Sequence, residues 1–358
     1  MEAVVTPGSA FWSGKRVLLT GHTGFKGAWL TLWLEHLGAA VTGVALAPIT
    51  TPDLWASLGA PLKGDGFVDI RNAASVAEAF EKARPEIVIH MAAQALVHAS
   101  YDDPVTTYDT NVMGLINVLE ACRRTPSVRA IVNVTSDKCY ENREQLWAYR
   151  EDEAMGGSDP YSASKGCAEL ITASYRRSFF KAPGGARLAS ARAGNVIGGG
   201  DWSSDRLIPD CVRAFEQGRS VEIRNPLATR PWQHVLEPLC GYLVLAQRLY
   251  EDGDAVAEGW NFGPADIDAL PVGDVVNAMV DLWGDGAAWR RDENERPKEA
   301  MLLRVDASKA RIRLGWRPRL PVREGLDWAV EWYKAYAAGQ DARAVTLGQI
   351  ARFETLGR

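Results

Sequence analysis

Residues 16–38, RVLLTGHTGFKGAWLTLWLEHLG, decide the fold. RVLLT (16–20) reads as a buried strand, Gly21, Gly24 and Gly27 follow at three-residue spacing, and KGAWLTLWLEHLG (26–38) has the apolar spacing of a helix that ends at Gly38. Strand, glycines and helix in that order form a dinucleotide-phosphate loop. Glycines let the backbone turn tightly and approach a pyrophosphate, while the helix N-terminus offers unpaired N–H groups to the anion. Gly21, His22, Thr23, Gly24, Phe25, Lys26 and Gly27 are therefore candidate cofactor residues, with His22 read as tuning cofactor affinity rather than as a catalyst.

The pattern continues outward. AVTGVAL (40–46) reads as a strand, SVAEAFEKARP (75–85) as a helix, EIVIHMAA (86–93) as a strand, PVTTYDTNVMGLINVLEACRR (104–124) as a long helix opened by Pro104, and RAIVNVTS (129–136) as a strand. This alternation predicts an α/β fold with a doubly wound parallel Rossmann-type sheet. After about residue 182 prolines and glycines crowd together, as in GNVIGGGDW and NPLATRPWQ. A smaller C-terminal mixed α/β substrate domain is expected there, its loops facing one cleft. The expected boundaries are 11–192 for the dinucleotide-binding domain, with segments returning near 230–262 (WNFG, 260–263, as a further strand), and 193–358 for most of the substrate domain. The stretch beyond about residue 337 gives little to read.

At 358 residues the chain can bury a large core, and its formal charge of −5 argues against a nucleic-acid partner. Five scattered cysteines with no C-x-x-C pair suggest neither a metal site nor a disulfide framework. No basic-then-apolar leader opens the sequence, and no apolar run reaches the roughly 18 residues of a membrane span. A reducing cytoplasm is the expected location, without membrane contact.

One usual partner of the glycine loop is missing. An acidic residue about 20 positions on commonly holds the adenosine ribose, but the second strand ends in Ala45, Leu46 and Ala47, and no carboxylate appears before Asp53. Main-chain groups, or a 2′-phosphate near Lys26, are the alternatives. These residues leave the choice between NAD and NADP open.

YSASK (161–165) places Tyr161 and Lys165 on one face of a helix. The strand AIVNVTS delivers Ser136, Asp137 and Lys138 to the C-terminal edge of the sheet, where such folds open onto their cleft. With VDIR (68–71), HMAAQ (90–94) and TNVMG (110–114), the chain resembles the short-chain dehydrogenase/reductase superfamily over most of its length. The resemblance implies NAD as cofactor, Tyr161 as the base, Ser136 bonded to the substrate oxygen, and Lys165 on the nicotinamide ribose. A free tyrosine ionises near pH 10, so the Lys165 ammonium is expected to acidify it. Asp69 and Ile70 would meet adenine, Ala92, Ala93 and Gln94 would lie under the pyrophosphate, and Asn111 would support the site.

The length and the C-terminal region are similar to the extended branch that acts on nucleotide sugars. VTSDKCY (134–140) is the informative stretch. Sugar-nucleotide 4,6-dehydratases place an acid and a second proton-transfer residue after the triad hydroxyl, and this chain has Asp137-Lys138 where dTDP-glucose and GDP-mannose enzymes have Asp-Glu. With GHTGFKG, RLIPD (206–210) and RPWQHVLEPL (230–239), it resembles the members that use CDP-glucose. That implies C4 oxidation, elimination of water across C5 and C6, and hydride return to C6. Lys138 would take the C5 proton or orient the sugar, and Asp137 would protonate the leaving hydroxyl. Asn195, Arg206, Leu207, Arg230 and Arg296 are the candidate substrate contacts. Trp202 and Trp232 either stack on a pyrimidine or pack, with packing favoured. Rival readings are a GDP-mannose or dTDP-glucose dehydratase, a C4 epimerase, and a non-catalytic dinucleotide-binding sensor. Relatives pair through helices near 104–124 and 161–181, so a homodimer or homotetramer is expected.

Overall fold

The computed structural model describes residues 5–60, 62, 67–293 and 300–356. Its centre is a six-stranded sheet of β1 (Arg16–Thr20), β2 (Ala40–Val44), β3 (Ile87–His90), β4 (Ala130–Val134), β5 (Arg187–Ala193) and β6 (Gly259–Phe262), in the order β6-β5-β4-β3-β1-β2. Every pairing is parallel. Parallel strands need crossovers, and helices cover both faces.

Alternation along the strands assigns each residue to a layer. Val17 and Leu19 of β1 join one core with Trp29, Leu30 and Trp33 of α1 (Phe25–His36), whereas Leu18 points into the other. That second core is closed by Val76 and Phe80 of α2 (Ala73–Ala83), Val118 and Leu119 of α3 (Leu115–Arg124) and Ala168 of α4 (Pro160–Ser178). On the first face, α5 (Leu236–Asp252) lies beside α1 and contributes Leu239, Tyr242 and Leu243. The segment read as WNFG does enter the sheet, as β6 beside β5.

β2 and β3 flank β1 on opposite sides, so the direction of winding reverses there and a crevice opens at the C-terminal ends of β1 and β3. Further elements follow β5 in the sequence. They include helices Leu207–Glu216 and Val272–Trp283, the helix α6 (Val322–Ala337), and short strand pairs such as Val196–Ile197 with Gln233–His234.

Two features depart from the expected pattern. The stretch 104–124 is not one α-helix: Pro104–Tyr108 passes into a π-helical turn, Asp109–Gly114, before α3. Such wider turns interrupt helices where a side chain must be redirected. The end of the chain, which carried little signal, forms α7 (Ala342–Thr355) and packs back on α1, where Trp33 Nε1 donates to Glu354 at 2.8 Å and Arg343 reaches Glu35 at 3.1 Å. Among the described residues no helix is long and apolar enough to cross a membrane, and all five cysteines are free thiols.

Candidate active site

Gly21 follows β1 with φ at 77°, a left-handed conformation that costs glycine little. A Cβ there would lie 2.8 Å from the amide nitrogen of Ala92, and one on Gly27 would fall 2.0 Å from the Gly21 carbonyl oxygen. The turn therefore presses on both β3 and α1. Gly24 precedes α1 without a side-chain cap, leaving the first-turn N–H groups in the arrangement that receives an anion. Thr20 Oγ1 accepts from the amides of Met91 and Ala92, at 3.0 and 3.1 Å, and Thr23 donates to the Leu46 carbonyl at 2.8 Å. His22 is buried edge-on to Trp55, ring centroids 4.7 Å apart, and burial lowers its pKa to about 4.

Of the two residues expected at adenine, Asp69 is gripped by Arg71 at 2.6 Å, and that hydrogen bond holds its carboxyl below the usual range. The Ile70 carbonyl accepts from Asn117 at 2.9 Å. Asp53, the first carboxylate after β2, caps the short helix Leu54–Ser57 by accepting from Ala56 at 2.7 Å. It is occupied locally by that cap. Asn111, turned by the π-helical segment, accepts from the Gln94 amide at 2.8 Å and donates to the Gln94 carbonyl at 3.0 Å and to Ser164 at 2.9 Å. It thus ties Ala92, Ala93 and Gln94 to α4.

The structure brings Ser136, Asp137, Tyr161 and Lys165 together, all buried. Ser136 follows β4 and opens the 3-10 turn Asp137–Cys139. Its hydroxyl accepts from the Lys138 amide at 3.2 Å and donates to Asp137 Oδ1 at 3.0 Å. The carboxylate of Asp159 caps α4 by accepting from the Ser162 amide at 2.9 Å, which sets Tyr161 and Lys165 one turn apart at the helix start. The Tyr161 amide donates to Ser100 at 3.2 Å.

Electrostatics correct one expectation. Burial pushes Tyr161 up to about 12, a hydrogen bond with Ser136 opposes it, and Lys165 is not among the main groups acting on it. Lys165 itself is lowered by burial to about 8. The protein groups alone do not acidify this phenol, because removing a phenolate from water costs more than they return. Burial likewise raises Asp137, against the pull of Lys138, Ser136 and Arg230, and its Oδ2 is buried without a hydrogen-bond partner. That environment favours the neutral carboxylic acid. Lys138 is half-buried.

Lys26 also departs from the adenosine-side position considered for it. Burial lowers its pKa to about 7, with further repulsion from Lys165 and Arg206, and its Nζ lies 5.6 Å from the ring centre of Tyr242. It faces Asp137, Lys165 and Arg206.

Of the substrate candidates, Arg206 pairs with Asp201 at 3.0 Å and acts on Tyr161, and buried Arg230 acts on Asp137. Leu207 is half-buried at the start of its helix, and the Asn195 carbonyl accepts from Gln233 at 3.0 Å. Arg296 lies outside the described residues. Trp202 packs on Tyr333 and Tyr336, while Trp232 is buried and donates to the Leu270 carbonyl, so both tryptophans pack. Sequence reasoning passed over Ser100, Asp201, Glu169 and Arg192. Glu169 had a readable signal, since it continues the four-residue spacing of Tyr161 and Lys165.

Comparison with known proteins follows the same lines. The profile of the GDP-mannose 4,6 dehydratase family matches residues 18–328. A CDP-glucose 4,6-dehydratase of Salmonella typhimurium is 54% identical over 336 residues, covering 92% of this chain and 94% of the relative. Among solved structures, a UDP-glucose 4-epimerase of Thermus thermophilus in complex with NAD superposes with a TM-score of 0.75 at 24% identity, over 89% of this chain and 99% of that one. A dTDP-glucose 4,6-dehydratase of Bacillus anthracis, also with NAD, gives 0.74 at 20% identity, over 92% and 100%.

Proposed function

The chain belongs to the GDP-mannose 4,6 dehydratase family, and from that premise we propose that it is a hydro-lyase, a CDP-glucose 4,6-dehydratase. It converts CDP-D-glucose to CDP-4-keto-6-deoxy-D-glucose and water, using NAD. The observation that carries the reading is buried Asp137, hydrogen-bonded to Ser136, with an unpartnered oxygen and a carboxyl held toward its neutral form. A 4,6-dehydratase needs an acid there to protonate a departing hydroxyl. A C4 epimerase has no use for one.

The residues present fit a dinucleotide. The uncapped start of α1 and the turn at Gly21 suit its pyrophosphate, Asp69 and Ile70 its adenine, and Lys165 its nicotinamide ribose. Lys26, turned toward Asp137, Lys165 and Arg206, gives no support to a 2′-phosphate. When bound, the nicotinamide supplies a hydride acceptor for C4 and a donor for C6.

The protein's part is proton transfer and alignment. Tyr161, as the phenolate that the positive charge of a bound oxidised nicotinamide would favour, takes the C4 hydroxyl proton, while Ser136 turns its hydroxyl proton from Asp137 to the same oxygen. Asp137 protonates the C6 hydroxyl as it leaves, and Lys138 removes the C5 proton or holds the sugar against its loss. Arg206 and Arg230 bind the diphosphate, supported by Asn195, with Leu207 lining the pocket. The sheet-built half holds the cofactor and most of residues 193–358 the nucleotide sugar. The chain works in the cytoplasm as a homodimer or homotetramer.

Incubation with NAD⁺ and, separately, CDP-glucose, dTDP-glucose, UDP-glucose and GDP-mannose tests this by mass analysis. Loss of water from CDP-glucose is expected. An unchanged mass with C4 inverted makes the protein an epimerase, and dehydration of another nucleotide sugar in preference moves the base assignment.

A further inference from the structure

The catalytic turn is held at both ends by one buried ion pair. Glu169 lies on α4, one turn beyond Lys165 and two beyond Tyr161. Its Oε1 accepts from the Thr135 hydroxyl at 2.5 Å, and its Oε2 accepts from Ser190 at 2.7 Å and from Arg192 at 2.8 Å. Thr135 immediately precedes Ser136. Arg192, on β5, donates to the Tyr140 hydroxyl at 2.7 Å and to the Glu151 carbonyl at 3.0 Å. Tyr140 follows the turn Asp137–Cys139 and donates onward to Asn261 of β6 at 2.6 Å. Both charged groups are almost wholly buried, with side-chain exposures of 5% for Arg192 and 4% for Glu169.

We propose that Glu169 and Arg192 are positioning residues that set the turn bearing Ser136, Asp137 and Lys138 against the helix bearing Tyr161 and Lys165. Three physical arguments support this. Replacing a buried ion pair with neutral groups often costs no stability, so bulk stability alone is a weak reason for these charges. Each oxygen of Glu169 has a partner from a different element, so moving the carboxylate disturbs β4, β5 and α4 together. Thr135 and Tyr140 bracket the whole turn, so its residues cannot shift without breaking one of the two attachments.

The pair also acts on charge. Burial raises the carboxyl of Glu169, but the charge and hydrogen bond of Arg192, together with the hydrogen bonds from Thr135 and Ser190, hold it below the usual range and the group stays ionised. That negative charge supports the ammonium of Lys165, which faces Cys139 from the turn, His90 from β3 and Lys26 from α1. Among these groups Glu169 is the one held anionic, because burial drives the Cys139 thiol well above its usual range.

The inference rests on the dehydratase reading for its kinetic test, so a second readout that needs no substrate accompanies it. In the double variant Glu169→Gln/Arg192→Gln, both charges go and the hydrogen-bonding shapes largely remain. We expect thermal unfolding near that of the wild type and KM for the nucleotide sugar within about twofold. We expect kcat lower by roughly 10- to 100-fold, the cost of misplacing reacting groups, and its alkaline limb moved acidward. Competitive acetylation of Lys165, read by mass spectrometry across pH, should show the same displacement, and amides 136–140 should exchange hydrogen faster. Arg192→Lys, which keeps the charge but not the fork, should recover part of kcat. A folded double variant with wild-type kcat, Lys165 titration and exchange overturns the proposal. An inactive wild type defeats the dehydratase reading instead, and labelling and exchange then decide the positioning role.

Discussion

The Ser136 hydroxyl donates to Oδ1 of Asp137 at 3.0 Å, while Oδ2 of the same carboxyl is buried with no partner. Asp137→Asn keeps the shape and the acceptor for Ser136 but removes the acidic proton. C4 oxidation should persist, seen as reduced cofactor in a single turnover, while loss of water slows by about 10²- to 10⁴-fold, the usual contribution of a general acid. Equal loss of both steps would remove Asp137 from the acid role. Lys138→Ala should show the same separation, and full dehydration by that variant would remove Lys138 from the mechanism.

Tyr161→Phe should abolish cofactor reduction without unfolding the chain, since Ser100 grips the backbone amide and not the phenol. Because burial lowers Lys165 to about 8, its ammonium is lost as pH rises through that value. The oxidation rate should therefore fall above about pH 8 in the wild type. A flat rate across that range would contradict the role given to Lys165.

Glu237 supplies a stability test away from the site. Its buried carboxyl accepts from the amides of Arg319 and Leu320, both at 2.7 Å, and burial raises its pKa to about 7. The folded pKa lies above the unfolded one, so the stabilising contribution is complete below about pH 4.5 and disappears as pH climbs to about 7. The loss is on the order of 3 kcal/mol. Glu237→Gln should leave stability in mild acid nearly unchanged and raise the unfolding temperature in mild alkali. Calorimetry showing parallel pH profiles for both proteins would refute this.

The phosphate loop makes a contrast between two glycines. A Cβ on Gly27 meets the Gly21 carbonyl at 2.0 Å, whereas on Gly24 the nearest atom is at 3.4 Å and φ is an ordinary −77°. Gly27→Ala should lose NAD binding by calorimetry or fail to fold, with Gly24→Ala keeping the fold and weakening NAD only. Similar thermal stability for both variants would show that α1 can move off the turn.

Val105, Tyr108 and Met113 are exposed on the stretch that leads into α3, and Leu170 is exposed on α4. Such apolar side chains on neighbouring helices suit pairing between copies of the chain. Met113→Glu with Leu170→Glu should convert an oligomer to monomer in sedimentation analysis. An unchanged mass would place the interface elsewhere.

Much of this arrangement was legible because it is local. β1, its glycine turn and α1 follow from apolar spacing and from a left-handed backbone that glycine supplies cheaply, and Tyr161 and Lys165 needed only helical periodicity. What escaped depends on distant partners. The π-helical turn around Asn111 exists to meet Gln94 and Ser164, and nothing in TNVMG announces it. Arg192 sits in a strand whose seven residues are all buried, where its charge makes sense only once Glu169 is opposite. The protonated state of Tyr161 could not be read either, because desolvation outweighs the charge one turn away. Lys26 reads as a loop residue on the adenosine side, yet its ammonium lies where Asp137, Lys165 and Arg206 act on it.

The contact between Trp33 and Glu354 spans 321 positions of sequence and lies beyond the reach of the family profile. During synthesis the helix that opens the phosphate loop is made well before the segment that packs on it. Until α7 has followed, the surface of α1 that it covers, Trp33 included, is open to chaperones, and changes made in α7 will be felt at the phosphate loop.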